Sequence, residues 1–506
     1  MSVLGWCLVL AGVGVVAWWT FARGRHMRAL EACSVGLLVL AGVTMAVQEG
    51  QWQLVPWAAL GPVAVVLVLL RRRRDRRGSG PGGSGEPGEP GGLEEPGEPG
   101  GPEGSASGRG PGPRPSSRRW WWVSAERGVP LVVVLVGAWA MMWAFVPKLP
   151  TPSGPYRVGT EVWHWTDKGR HQPWGRHTSE YRQVVAQAWY PTEVAHGREA
   201  PYFEDPGELP GMGGLPAYVF SGSLRETATH GVVGAPVSAA KREWPVIVFS
   251  PGLELPREIY TALCTQMASR GYVVVALSSP YESAVTELAD GEVAESEFPS
   301  NPSEKELYEL VKTRAADAGF VVDQLDRLGT IDPRSPLVGR LDMDHVGIVG
   351  HSLGGASAIQ AAYEEPSKFQ VAVNLDGTLW GGQPSEKLSR PVLWIASTER
   401  SSAEEDHDRE QLLSGLQAGG ALVQITHSMH LSFTDEPSYL TSLGLAIWGR
   451  QGRMGRRSAA TMSRLTAELV TAFAGPKLGV RGGPTLSEVV HKDQAAELKR
   501  QVAPAG

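Results

Sequence analysis

A chain of 506 residues is too long for one ordinary domain, and a net charge of −6 is too mild to point to nucleic acid as a partner. Its three cysteines, Cys7, Cys33 and Cys264, are an odd set with two in hydrophobic segments, so no disulfide framework follows, and Cys264 reads as a small buried hydrophobe rather than a catalytic thiol. Eighteen tryptophans are many, and several stand at the ends of apolar runs, which suggests two halves with different solvents.

Residues 1–77 hold three apolar runs, 3–22, 29–47 and 54–70, flawed only by Glu31 in the second and by Pro56 and Pro62 in the third. At about 1.5 Å of rise per residue each run is near the length of a bilayer crossing. Residues 129–146, within 120–150, form a fourth. A cleaved signal peptide is the alternative for the first, but it lacks a basic start and a clear small-x-small cleavage site. Arg23, Arg25 and Arg28 follow the first run, Arg71 to Arg74 with Arg76 and Arg77 follow the third, and Arg118, Arg119 and Arg127 precede the fourth. Cytoplasmic placement of these clusters predicts a multi-pass cell-membrane protein, embedded by four helices, with everything after Pro147 on the extracytoplasmic side. Between the third and fourth runs, residues 78–119 are Gly, Pro, Glu and Ser with almost nothing apolar. That composition predicts a disordered linker, and the lack of a three-residue glycine period excludes collagen. Trp120, Trp121 and Trp122 mark an interface, and no chemistry is visible in this half.

Residues 151–478 alternate strand and helix signals, the pattern of an α/β sheet. Residues 156–166 and 182–190 predict opening antiparallel strands. A polar, Gly/Pro-rich insertion at 192–243 carries Tyr202, Phe203, Tyr218, Val219 and Phe220, which suit either a lid or packing on the sheet. Residues 245–250 (PVIVFS) predict a buried strand running into Pro251-Gly252-Leu253-Glu254. A helix over 257–270 ends at Gly271, and a strand follows at 272–277. Residues 278–301 are a polar loop. Residues 305–328 have Leu307, Leu310, Val311, Phe320, Val321, Leu325 and Leu328 at helical spacing.

Residues 346–349 predict a short buried strand that turns through Gly350-His351-Ser352-Leu353-Gly354-Gly355 into the helix former ASAIQAAY. Strands at 369–375 and 391–396 end at Asp376-Gly377 and near Glu399. A strand at 421–425 is expected to be the last, followed by Thr426 to Asp435 (THSMHLSFTD). A closing amphipathic helix at 458–473 precedes a tail, 479–506, that reads as poorly ordered.

Strand, G-x-S-x-G, helix is the setting in which a serine becomes a nucleophile, although with 62 glycines the bare pattern is weak and the flanking elements carry the weight. The serine needs an imidazole to take its proton during attack, and the imidazole needs a carboxylate to fix its tautomer. Ser352 is the candidate nucleophile. Asp376, at a strand end, is the candidate acid, with Glu399 after the next strand as its rival. His430 is the candidate base, with His427 as rival, while His351 reads as structural and Asp435 as a cap or loop orienter. The backbone N–H groups of Leu353 and Leu253 are the candidate oxyanion donors. No cofactor and no metal site is read from the chain.

GHSLGGA around Ser352, NLDG around Asp376 and the H-x-x-F-x-D of His430, Phe433 and Asp435 resemble the platelet-activating-factor acetylhydrolases of the plasma and type II intracellular kind. WYP at 189–191, FSPGL at 249–253 and ASRGYVVVA at 268–276 resemble them too, and the likeness covers roughly 156–475. It implies an α/β-hydrolase fold, here preceded by a four-helix transmembrane region. It also implies a calcium-independent serine esterase acting on short or oxidised sn-2 acyl groups of phospholipids, with Ser352, Asp376 and His430 in the triad and Leu253 and Leu353 at the oxyanion. The chain departs at Ser278-Ser279-Pro280-Tyr281, where relatives often have an acidic residue and a histidine before the tyrosine. A triacylglycerol lipase or cutinase-like polyesterase of the same fold is the alternative enzyme. A membrane scaffold with a dead hydrolase domain is disfavoured by the intact Ser, Asp and His.

Overall fold

The computed structural model describes Ala11 and residues 146–204, 224–380, 388–399, 402–449 and 454–504. The chain divides into Met1–Ala140 and Met141–Gly506, and the elements below lie in the second unit.

Ten strands form one sheet. In chain order they are β1 Arg157–His171, β2 Tyr181–Thr192, β3 Gly231–Val233, β4 Trp244–Ser250, β5 Val273–Ser278, β8 Leu341–His351, β9 Val371–Leu375, β10 Val392–Ala396, β11 Gly420–Ile425 and β12 Ala496–Val502; β6 Val285–Glu287 and β7 Val293–Glu295 make a separate hairpin. Across the sheet the order is β12-β11-β10-β9-β8-β4-β5-β2-β1-β3. The strands from β11 to β5 are parallel, and β2 and β12 join them antiparallel on either side. Every residue of β4, β5, β9 and β10 is buried, as continuous apolar runs require when helices cover both faces.

Among the described residues the helices of seven residues or more are α1 Thr261–Ala268, α2 Glu304–Asp326, α3 Leu353–Glu364, α4 Ala403–Gly415, α5 Ser442–Trp448, α6 Ala459–Ala474 and α7 Leu486–Lys492. Ser303 and Glu306 close a capping box that starts α2, and Ser402 with Glu405 does the same for α4. Alternate residues of the central strands (Val246 and Val248, Val273 and Val275, Val346 and Ile348) share one core with Ala318, Val321 and Leu325 of α2 and Ala358 and Ile359 of α3. α1 and α6 pack on each other, α1 also against β5 and α6 against β9 and β10. Each fully buried aliphatic side chain contributes about 1.5–3 kcal/mol to this packing.

Three expectations are corrected. The four-helix transmembrane region does not stand, nor does the multi-pass, membrane-embedded placement that rested on it: among the described residues no helix is long and apolar enough to cross a membrane. The longest, α2, has 23 residues but carries Glu304, Lys305, Glu306, Glu309, Lys312 and further charges along its length. The four apolar runs and the 78–119 linker lie outside the described residues, apart from Ala11 and Val146 at the last run's end. An apolar run meets the needs of a core helix or a buried strand as well as those of a span, so run length alone overreached.

The second correction is the tail: α7 opens on a Thr485–Glu488 capping box, and β12 pairs with β11. Its residues AELKRQV expose Glu497, Lys499 and Gln501, every second side chain, so the strand hides its β character behind a polar composition. The third is the polar loop at 278–301, which folds back as the β6–β7 hairpin. Of the insertion at 192–243, β3 joins the sheet edge beside β1 and Tyr202 and Phe203 are buried; Tyr218, Val219 and Phe220 lie outside the described residues.

Candidate active site

The carboxyl ends of β4, β8, β9, β10 and β11 share one edge of the sheet, and the loops leaving them carry the candidate residues. β4 lies between β8 and β5, so the chain's direction of advance reverses there, and a crevice opens outside the strand ends at such a point.

Ser352 occupies the sharp turn between β8 and α3 with φ 55° and ψ −126°, a conformation that side-chain-bearing residues rarely adopt. Its N–H donates to the Leu375 carbonyl of β9 (2.9 Å), and its carbonyl accepts from Gly355 (2.9 Å), so both neighbours hold the strain in place. The two glycines of the motif are there for close approach. A Cβ on Gly350 would lie 2.0 Å from the Gly354 carbonyl oxygen, and one on Gly354 would lie 2.1 Å from that of Ser250. The second contact also presses the first turn of α3 against the loop that leaves β4.

Ser352 Oγ lies 2.9 Å from His430 Nε2, and His430 Nδ1 lies 2.8 Å from Asp376 Oδ2. Asp376, with φ 53°, sits on a turn shaped by Asn374, whose amide accepts from Gly377 N–H and donates to the Gly377 carbonyl. The other carboxylate oxygen of Asp376 accepts the Ser397 N–H at 2.7 Å. Burial pushes the Asp376 carboxyl up, but the hydrogen bond and charge of His430, with the Ser397 N–H, outweigh it and hold the group below its usual range. An ionised Asp376 only accepts, so the proton on the imidazole belongs on Nδ1 and the lone pair on Nε2 faces the serine hydroxyl. That arrangement can take a proton from Ser352 and return it to a leaving group.

The rivals have other places. Glu399 accepts the backbone N–H of His430 at 2.9 Å and thereby holds the loop rather than the ring. His427 is exposed, with φ 58° and its carbonyl accepting from Arg456 N–H. Asp435 is buried and caps the start of α1, with its carboxylate 3.2 and 3.3 Å from the Ala262 N–H and 3.2 Å from the Tyr202 hydroxyl; burial pushes its carboxyl well up. Cys264 is fully buried, and burial pushes its thiol up too, away from thiolate chemistry.

His351, read as structural, is fully buried and bridges two loops. Its Nε2 donates to the His430 carbonyl (2.9 Å), which leaves Nδ1 to accept from the Tyr260 hydroxyl (2.8 Å), which in turn accepts the Gly252 N–H (3.0 Å). Burial raises the Tyr260 hydroxyl far enough that it stays a donor.

Leu353 is the first residue of α3, at the positive end of a 12-residue helix, and Leu253 follows β4. Among the described residues neither backbone N–H donates a hydrogen bond. Their side chains share a cluster with Phe298, Leu307, Leu310 and Val311, flanked by the half-buried Trp174 and Trp380. The sequence reading missed this apolar wall. Trp174 comes from the β1–β2 turn, Phe298 from the segment after β7 and Trp380 from the loop beyond Asp376, and nothing in their local spacing announces a shared surface.

Residues 211–480 match the family model described as platelet-activating factor acetylhydrolase, isoform II. A probable 1-alkyl-2-acetylglycerophosphocholine esterase of Arthroderma benhamiae is 25% identical over 59% of this chain and 78% of its own length. The platelet-activating factor acetylhydrolase of Cavia porcellus is 29% identical over 38% of this chain, which spans about half (49%) of that protein. A bis(hydroxyethyl) terephthalate hydrolase of Streptomyces coelicolor is 30% identical over 24% of this chain and 44% of its own. Among solved structures, a ferulic acid esterase from Streptomyces cinnamoneus superposes with a TM-score of 0.59 at 27% identity, covering 70% of this chain and 99% of that one. With more than half of its residues inside the family model, the chain belongs to the platelet-activating factor acetylhydrolase isoform II family and is a serine carboxylic-ester hydrolase of the α/β-hydrolase fold.

Proposed function

We propose that the site removes short or oxidised acyl groups from the sn-2 position of glycerophospholipids. Ser352 is the nucleophile, His430 the base and Asp376 its partner, and the N–H groups of Leu253 and Leu353 receive the oxyanion. The observation that carries this reading is the line from Ser352 Oγ through His430 to Asp376, at 2.9 and 2.8 Å. Ser352 Oγ bonds to the ester carbon as its proton passes to His430 Nε2, and the carbonyl electron pair moves onto oxygen. Collapse of the tetrahedral anion breaks the ester C–O bond, and the leaving alkoxide takes the proton from Nε2, leaving the acyl group on Ser352. Water repeats the sequence and releases the carboxylic acid. Asp376 stays ionised throughout and stabilises the imidazolium. Membership of the family and the named activities of its fungal and mammalian relatives support the phospholipid substrate.

A second reading has its own support. The aromatic wall of Trp174, Phe298 and Trp380 suits a flat acyl group, and two relatives are named for aromatic esters, ferulate and terephthalate.

The test uses the full chain beside Ser352→Ala. A fluorophosphonate probe is expected to label the wild type alone, and a 2-acetyl glycerophosphocholine is expected to turn over roughly 100-fold faster than its 2-palmitoyl counterpart. Labelling that survives Ser352→Ala rejects the nucleophile. Faster turnover of bis(hydroxyethyl) terephthalate than of the acetyl phospholipid moves the assignment to aromatic esters. Neither labelling nor turnover returns the dead-domain reading.

A further inference from the structure

α2 buries a charge where its helical spacing calls for an apolar residue. Arg314 lies on the stripe of Leu307, Leu310, Val311, Ala318 and Val321, and it is only 2% exposed. Its Nη1 donates to two successive carbonyls of the loop after β4, Pro251 at 2.7 Å and Gly252 at 3.2 Å. Its Nε donates to Glu282 Oε2 at 3.0 Å. Arg182 of β2 takes the other oxygen of Glu282 at 2.6 Å and forks onto Asp317 at 2.6 and 3.2 Å. These four side chains are almost wholly out of solvent, two cationic and two anionic.

Such a network is a poor way to gain stability. Desolvating four charges cancels much of their attraction, and Arg314 keeps a buried Nη2 with no protein partner among the described residues. Apolar side chains on the same stripe would pack at least as well. What the network does achieve is geometric.

In a trans peptide the C=O and the following N–H point in opposite directions. The Pro251 carbonyl faces Arg314, so the Gly252 N–H faces away from it, toward the Tyr260 hydroxyl that accepts it. The Gly252 carbonyl also faces Arg314, so the Leu253 N–H is turned away as well, and it is the one of the pair left undonated. A flip of that peptide would present a carbonyl oxygen where the N–H stands, and a developing anion would meet repulsion in place of a donor.

We propose that Arg314, held by Glu282 and Arg182, is a positioning residue of the oxyanion hole: it fixes the Gly252–Leu253 peptide so that the Leu253 N–H faces the reacting ester. This rests on the triad reading above and adds to it the group that sets its second donor. Arg314 acts through the backbone and touches no substrate.

The test compares the full-length wild type with Arg314→Lys, which keeps the charge and loses the fork, and with Arg314→Gln/Glu282→Gln, which removes one buried charge of each sign together. For p-nitrophenyl acetate, kcat is expected to fall roughly 100-fold with KM changed less than about threefold, the scale of losing one oxyanion donor. The inhibition constant of an acyl trifluoromethyl ketone, whose serine adduct carries the anionic oxygen, is expected to rise by the same factor as kcat/KM falls. A merely structural role would lower activity in step with the folded fraction and leave the kcat of folded enzyme and the ketone affinity unchanged. Either variant, folded by its melting curve, with kcat and ketone inhibition within threefold of wild type overturns the proposal. Ser352→Ala run alongside separates the two ideas. If it abolishes turnover while the Arg314 variants stay active, this inference fails and the triad stands; if Ser352→Ala stays active, the triad itself fails.

Discussion

His351 Nε2 donates to the backbone carbonyl of His430 at 2.9 Å, so the side chain next to Ser352 holds the main chain of the residue that faces its hydroxyl. Through Tyr260 the same ring is tied to Gly252, and three loops from β4, β8 and β11 are thereby linked behind the reacting groups. His351→Ala removes a fully buried ring and two hydrogen bonds, one of them to the His430 carbonyl. We expect a loss of about 2–3 kcal/mol in urea unfolding and a 10–100-fold drop in kcat/KM among the molecules that remain folded. Unchanged kcat/KM in a destabilised variant would leave His351 as packing alone.

Asp376 and Glu399 both touch His430, at different atoms, and their variants should differ accordingly. Asp376→Asn trades an acceptor for an amide that can present N–H to Nδ1 and reverse the tautomer. Turnover should fall by about 10⁴ while the melting temperature moves little. Glu399→Gln keeps an oxygen for the His430 N–H and should retain turnover within about threefold, whereas Glu399→Ala frees the loop and should lose roughly tenfold. Equal damage from Asp376→Asn and Glu399→Gln would reassign the acid role.

How much of this was legible follows from what each residue signals locally. Ser352, Asp376 and His430 each stand just past an apolar, β-branched run. Parallel strands bring such positions to a common edge, so period and order alone placed them together. Glu399 satisfies the same criterion, and only coordinates separate a carboxylate aimed at a ring nitrogen from one aimed at a backbone N–H. Arg314 and Asp317 did leave a trace, as charges on the apolar stripe of a long helix. Their partners, Arg182 and Glu282, come from β2 and from the loop after β5, 135 and 32 residues away from them, and no local pattern links segments so far apart. β12 was lost because four polar or charged side chains beside one another or one apart, Glu497, Lys499, Arg500 and Gln501, look like a solvated tail. The apolar runs before residue 147 do not by themselves specify a lipid environment, because apolar length suits a core helix or a buried strand as well.

Gly354→Ala tests the close packing at the elbow. The added methyl would meet the Ser250 and Pro251 carbonyl oxygens at 2.1 and 2.3 Å, and backbone atoms of β4's exit loop cannot swing aside as a side-chain tip can. Relief requires the first turn of α3 and the loop after β4 to move apart. We expect a destabilisation of about 2–4 kcal/mol and a loss of labelling by the fluorophosphonate probe larger than the folded fraction explains. Gly483→Ala, where a methyl would meet nothing within 4 Å, serves as the control and should be silent.

Glu436, six residues past His430, supplies a pH signature in stability. Burial pushes its carboxyl up to about 7, with the charge of His430 pulling the other way. A carboxyl whose folded value lies above its unfolded one favours folding in the protonated form. As pH rises past roughly 4.3, the unfolded chain releases this proton while the folded protein keeps it, so this residue's contribution to stability falls steadily until about pH 7 and is flat above. Glu436→Gln stays neutral in both states and escapes that loss. The melting temperatures of the two proteins should therefore coincide near pH 4.3, separate between there and pH 7 with the glutamine variant the more stable, and remain a constant interval apart at pH 8. A constant interval across the whole range would mean that Glu436 is as well solvated in the folded protein as in the unfolded chain.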